Sequence, residues 1–329
     1  MTQTLRPMNL GEILDRTFQI YRKQFWAFVV VAAVPALVVQ CISLADAYWF
    51  HLYSSATSDN HWAPGLFMTR VVFSIGYYHF SSLVGALLFP VILKLVSGIV
   101  FNEEIRIREA WRFFGARWRR YLSLSALKLV AGLVLAEILA IAILAGEIAF
   151  AEELHIDTGT GLESLWMILL PLVSGFTAFL CINSSLSLAV PSAAFEDLKA
   201  FRALRRSWTL TRGARLRIAL TWVALAIGAW MLSSSFQWIL RLVVIAAVHS
   251  THARWIGYTL YPFLSRTMIT ALAALFGPIY PIALTLFYYD QRMRREGYDI
   301  ERLMDAAGLH APPAPPAETA QASEEEALP

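Results

Sequence analysis

Six stretches of this chain, each longer than 20 residues, are almost without charge: Phe25–Ala47, Phe80–Phe101, Tyr121–Leu144, Leu165–Leu188, Ile218–Leu240 and Thr267–Tyr289. A bilayer core about 30 Å thick is crossed by about 20 apolar residues in helical form. None of the six shows the period-two alternation of a barrel strand, whose lumen-facing residues are polar at every second position. Helices are then the remaining way to satisfy the backbone in lipid, so the chain reads as an all-α, six-span integral membrane protein. Composition agrees: 57% of the 329 residues are hydrophobic and 16% are charged, against roughly 25% charged in a soluble domain. The first apolar run begins only near Phe25, after a helix-like segment, and reads as a retained span, not a cleaved leader.

The basic residues are unevenly spread. Four precede span one, six lie between spans two and three, seven between spans four and five, and four follow span six, which puts 21 of the 27 Lys and Arg on one side. The loop from Glu147 to Glu163 on the other side has five acids and no base. By the positive-inside rule both termini are expected in the cytoplasm of a plasma (inner) membrane protein. The stretch 48–79 reads as an outer loop leading into span two. Residues 241–262 fit either a prolonged span five or an interfacial helix. The segment 305–329, rich in Pro, Ala and Glu, lacks the apolar content to pack and is expected to be a disordered cytoplasmic tail, leaving 1–304 as a single membrane domain.

Three basic segments abut the spans. NLGEILDRTFQIYRKQFWAF places Leu10, Ile13, Leu14, Phe18 and Tyr21 at helical spacing before span one; REAWRFFGARWRRYLSL precedes span three and ALRRSWTLTRGARLRIAL precedes span five. Such segments are expected to lie in the membrane interface as amphipathic helices. The third would turn Leu204, Trp208 and Leu210 to lipid and its arginines to headgroups. Aligning Arg16-Thr17-Phe18, Arg112-Phe113-Phe114 and Arg206-Ser207-Trp208 gives offsets of 96 and 94 residues. The unit, one such helix and two spans, is then repeated three times, or else the three segments converge on one physical need. The expected headgroup contacts are Arg16, Arg22, Arg112, Arg205, Arg206 and Arg212.

Three pieces carry a family resemblance: LRPMNLGEILDRTFQIYRKQF at 5–25, ALRRSWTLTRGARLRIAL at 203–220 and PIYPIALTLFYYDQRMRREGYDIERLM at 278–304. Together they resemble the bacterial glycerophosphoryl diester phosphodiesterase membrane-domain family. Some members join this membrane region to a catalytic domain, a soluble barrel of on the order of 250 residues whose motifs include His-Arg and Glu-x-Asp. This chain has neither motif and no soluble segment of that length, so the resemblance implies the membrane module without the enzyme.

Charged groups inside spans are costly and mark sites by default. Lys94 and Lys128 sit at matched depth, each about 10 Å below the basic side, with Asn183 at a similar depth. They are expected either to hold a phosphate or lipid headgroup or simply to snorkel to the interface. Glu137 lies beyond the midplane, and Arg241, at a comparable depth, is its expected structural partner. Six histidines, His51, His61, His79, His155, His249 and His252, fall on the outer side without a supporting Cys or carboxylate cluster, so no metal is expected. Cys41 and Cys181 lie in apolar runs and offer no disulfide framework or redox motif. GPIYP is the expected break in span six. No nucleotide, nucleophile-elbow or zinc motif is present, and no cofactor or nucleic acid partner is expected. The reading is a non-enzymatic module engaging membrane phospholipid, with a separate catalytic or membrane partner chain as a further expectation. The alternative is a small-solute or lipid transporter with a polar cavity among spans two to four.

Overall fold

Asn9 starts the first helix. Its side chain accepts from the Glu12 amide and its own amide donates to the Glu12 carboxylate, both at 2.8 Å, a reciprocal cap that satisfies two otherwise unpaired amides. The computed structural model describes residues 7–56, 64–101, 103, 105–153, 163–251, 260–298, 300 and 304. The predicted tail 305–329 and His61, His155 and His252 lie outside these. The helices are α1 (Leu10–Lys23), α2 (Phe25–Ala56), α3 (Pro64–Leu87), α4 (Phe89–Phe101), α5 (Ile107–Ala116), α6 (Trp118–Leu129), a π-helical turn (Val130–Val134), α7 (Leu135–Glu153), α8 (Glu163–Leu186), α9 (Ala189–Phe195), α10 (Ala200–Leu210), α11 (Arg215–Thr251), α12 (Tyr261–Phe276) and α13 (Ile279–Glu296). Among the described residues, six helical segments are long and apolar enough to cross a membrane, beginning at Phe25, His79, Trp118, Leu169, Arg215 and Tyr261.

Much of the stretch 48–79, expected to be a loop, is helical: α2 runs on to Ala56 and α3 begins at Pro64. Residues 48–56 contain no Gly or Pro, so nothing in them interrupts the helix. Likewise α11 passes Arg241 without interruption and is helical through Thr251, which makes 241–251 a prolongation of the fifth span.

Contacts divide the chain into residues 8–288 and a second unit, residues 1–7 with 289–329. In the second unit Arg294 Nε donates to both Asp290 carboxylate oxygens at 3.0 Å, Tyr289 stacks on Tyr298, and the Arg292 guanidinium covers the Tyr298 ring at 4.3 Å.

Within residues 8–288 the spans neighbour one another in chain order: α2 packs on α3, α3 on α6, α7 on α8, α8 on α11, and α11 on α12. The cycle closes, because α12 packs back on α2. Gly175 lets α7 and α8 approach closely; a Cβ there would meet the Ala140 Cβ at 3.0 Å and the Ala136 carbonyl at 3.2 Å. Small residues at such a crossing let backbones close up where lipid supplies no hydrophobic drive.

Three of the spans are broken. Leu88 separates α3 from α4, Ser187 and Leu188 separate α8 from α9, and Gly277 and Pro278 separate α12 from α13. Pro90, Pro191 and Pro278 follow or form these breaks, since proline removes an amide and clashes with the preceding turn. The expected break at GPIYP is found, and the other two accompany it; Pro35 and Pro171 stay inside α2 and α8. Burial concentrates just beyond the breaks, at Val91, Leu93 and Val96 in α4, at Val190 and Ala193 in α9 and at Ile282, Ala283 and Phe287 in α13. By contrast Ile138, Ile141, Trp230, Ile239 and Leu242 on α7 and α11 are exposed apolar surface. Non-helical backbone at membrane depth is tolerated where protein covers it, and that is where the breaks lie.

Candidate functional site

The break between α8 and α9 is filled from α10. The Ser207 hydroxyl donates to the Ser185 carbonyl at 2.9 Å and accepts from the Leu188 amide at 3.1 Å, and Thr211 donates to the same carbonyl at 3.1 Å. Ala203, Ser207, Leu210 and Thr211 are buried on this face, whereas Phe201 and Trp208 on the other side are 75% and 45% exposed. The expectation that Leu210 turns to lipid is therefore corrected: it is buried in protein, because the small side chains beside it let α10 dock closely. Trp208 remains exposed but carries the Arg215 guanidinium 4.2 Å from its ring centre. A corresponding contact closes the sixth span. The Tyr21 hydroxyl of α1 donates to the Leu275 carbonyl at 2.5 Å, next to Gly277. Burial raises the Tyr21 pKa, so the hydroxyl stays a donor.

At the start of α10 two acids gather the surrounding helices. Glu196 accepts from Arg206 Nε at 2.8 Å and from the Tyr288 hydroxyl at 3.0 Å, while Tyr288 stacks on Phe195. Asp197 sits in the left-handed region at φ 53° and receives Arg120 at 2.6 Å and Arg117 at 3.3 Å, both from the junction of α5 and α6. The Arg120 hydrogen bond and charge, with the charge of Arg117 added, hold the Asp197 carboxyl below the usual carboxylate range. These two residues escaped the sequence reading, although they are the only acids between Ala189 and Arg217 in a segment crowded with bases.

The expected headgroup arginines separate accordingly. Arg206 is not a surface contact but part of the Glu196 clasp. Arg16 is half-buried and Arg212 is exposed. Arg22 on α1, Arg112 on α5 and Arg205 on α10 are exposed, with no hydrogen bond or ion pair among the described residues.

The intramembrane candidates are not joined. Lys94 lies 6.0 Å from the Phe113 ring centre. Lys128, two residues before the π-helical turn, and Asn183 are half-buried, and no hydrogen bond or ion pair links the three among the described residues. The expected Glu137–Arg241 pair gives way to two other contacts: Glu137 meets His79 Nε2 at 3.4 Å, and Arg241 lies 5.7 Å from the Trp238 ring centre. His79 at the start of span two is the nearer partner, because α3 packs on α6, which runs through the π-helical turn into the helix that carries Glu137.

A polar layer that the sequence reading missed joins α2 to α12. Arg266 donates to the carbonyl and, at 3.1 Å, to the hydroxyl of Ser43, and approaches Asp46 at 4.0 Å. Gln40 accepts from Thr270 at 2.5 Å and donates to Thr267 at 3.1 Å. On its other side α12 meets α11, where Ser265 donates to Gln237 at 2.9 Å. Two cavities adjoin along this α11–α12 seam. One of about 360 Å³ is lined by Ser233, Ser234, Gln237, Trp238, Arg241 and Tyr261, and one of about 390 Å³ by Trp222, Leu225, Ala226, Ala229, Phe276 and Tyr280, with Trp230, Ser233 and Ile269 shared between them. The Tyr280 hydroxyl is buried without a partner among the described residues.

In comparisons with protein-family models, curated proteins and solved structures, nothing matches this chain.

Proposed function

We propose that this chain is a non-enzymatic membrane module of a bacterial inner membrane, with both termini cytoplasmic, that engages anionic phospholipid through α1, α5 and α10. The observation that carries the reading is Arg22, Arg112 and Arg205, one exposed arginine on each of these helices, none used by an internal ion pair among the described residues. Arginines with no internal role, on helices lying at the ends of apolar spans, fit a headgroup layer, where each base contributes about 1 kcal/mol.

An internal threefold repeat supports the reading, because it makes the three helices equivalent. Tyr21 and Thr211 each lie four residues past the aligned Thr17 and Ser207, and the carbonyls they bond, Leu275 and Ser185, each lie six residues before Pro281 and Pro191. A helix of one repeat thus caps the broken span of the repeat before it, and α1 does so for the last, in keeping with the closed cycle of spans. The middle repeat departs: Arg117 holds the equivalent position and turns to Asp197 instead. The resemblance to the phosphodiesterase membrane-domain family adds a separate catalytic or membrane partner chain to the proposal. A transporter would need a cavity beside Lys94, Lys128 and Asn183, and the two cavities described lie along α11 and α12.

The experiment is lipid retention by the purified chain in mixed vesicles of phosphatidylglycerol and phosphatidylcholine. The triple variant Arg22→Glu, Arg112→Glu, Arg205→Glu is expected to lose the anionic preference while keeping its thermal transition. An unchanged preference would refute the reading.

A further inference from the structure

The α11–α12 seam is amphiphilic along its length. At the end remote from Arg215 it is lined by Arg241, Gln237, Ser234 and Ser233; toward Arg215 it is lined by Leu225, Ala226, Leu272, Ala273 and Phe276. Arg241 is exposed and has no carboxylate partner among the described residues; its guanidinium rests against the Trp238 ring. Arg241 lies 26 residues beyond Arg215 on one helix, about 39 Å at 1.5 Å rise, past a hydrocarbon core of about 30 Å, and a cation held at an aromatic ring is the arrangement expected at a headgroup level. From Arg241 to Trp222 is 19 residues of continuous helix, about 28 Å at 1.5 Å rise. One leaflet offers about 15 Å of hydrocarbon and about 6 Å of headgroup region, so a lipid of that leaflet fits the seam with length to spare.

We propose that the α11–α12 seam is a binding site for one anionic phospholipid of the leaflet remote from the basic loops, its phosphate on Arg241 and one acyl chain in the furrow floored by Ala226 and Ala229. The polar lining at Ser233, Ser234 and Gln237 faces the glycerol and ester groups, and the furrow walls of Trp230, Ile269 and Phe276 exclude water from the chain. Charge complementarity selects the occupant: an uncharged detergent offers Arg241 no counter-ion, and the phosphate of a zwitterionic lipid is already offset by that lipid's own ammonium group, whereas an anionic lipid brings an uncompensated negative charge. This site is separate from the arginines on α1, α5 and α10 and does not rest on them.

The test is native mass spectrometry of the delipidated full chain titrated with dioleoylphosphatidylglycerol or dioleoylphosphatidylcholine, which differ only in headgroup. Arg241→Gln is expected to lower the preference for the anionic lipid about fivefold at one site, the effect of one base at an anionic headgroup. Ala229→Trp fills the furrow and is expected to remove one bound lipid of either kind; Ala226→Phe does the same should the first variant fail to fold. Unchanged phosphatidylglycerol binding in Arg241→Gln, or in a folded furrow-filling variant, overturns the proposal. The variants at Arg22, Arg112 and Arg205 are read in the same titration. Loss with these alone overturns the seam site and leaves the reading of the basic helices intact, and loss with Arg241→Gln and Ala229→Trp alone does the reverse.

Discussion

Ser207 donates to the carbonyl of Ser185 at 2.9 Å and so spans the break between α8 and α9 from outside. The same hydroxyl accepts from the Leu188 amide, which has no other acceptor among the described residues, whereas the Ser185 carbonyl also receives Thr211. A buried polar group left unpaired costs about 1–3 kcal/mol. Ser207→Ala is therefore expected to lower the thermal transition in detergent by that order, and Thr211→Val by clearly less, since the carbonyl keeps Ser207. Equal shifts for the two variants would show that the break is not held this way.

Asp197 supplies a pH-dependent clasp between the α5–α6 junction and the start of α10. Its folded pKa lies below the unfolded value of about 3.9. The ionised carboxylate therefore contributes stability that is fully present above the unfolded pKa and is lost as pH falls through the lowered folded value. Asp197→Asn keeps a residue tolerant of φ 53° while removing the charge. The gap in thermal transition between wild type and this variant is expected to be constant from about pH 5 to 8, to close below about pH 4, and to shrink in high salt because the group is exposed. A gap that neither narrows as pH falls past the unfolded value nor shrinks in high salt would show that the charge of Asp197 does not carry it.

The spans were legible because apolar length is a one-dimensional property; each of the six helical segments overlaps an apolar stretch read from the sequence. The breaks were only partly legible. Proline announces a lost amide, but Pro35 and Pro171 remain inside helices while Pro90 and Pro191 follow breaks, and what differs is whether a neighbour covers the freed backbone. Ser207 and Tyr21 do so from residues far away in sequence. The same limit separated Glu137 from Arg241. Matched depth placed them together, yet depth says nothing of the direction in which a side chain leaves its helix, and Glu137 meets His79. Arg266 stands at the edge of an apolar run, a place from which sequence alone names no partner. Its bonds to Ser43 across the α2–α12 contact are tertiary information.

Gln40 joins α2 to α12 through Thr270 and Thr267. Hydrogen bonds between membrane helices average about 0.6 kcal/mol, because the unassembled helices also find partners. Gln40→Leu is accordingly expected to shift the thermal transition by only a few degrees, less than Ser207→Ala, whose target is unpaired backbone. A larger loss for Gln40→Leu would mean that the polar layer, and not the packed breaks, holds the closing contact of the span cycle.

Tyr280 offers a case in which removing a polar atom should strengthen the protein. Its hydroxyl is buried beside the apolar part of the α11–α12 seam without a partner among the described residues, and its ring lines the furrow. Tyr280→Phe keeps the ring and deletes the unsatisfied oxygen, which restores up to about 1–3 kcal/mol of desolvation cost. Ring packing is unchanged, so no cavity offsets the gain. The variant is expected to melt higher than wild type in lipid-free detergent, by several degrees, with lipid binding at Arg241 unaltered. A lower transition would show that the hydroxyl is hydrogen-bonded in the folded protein, for example to a water or to a chain-borne acceptor in the seam.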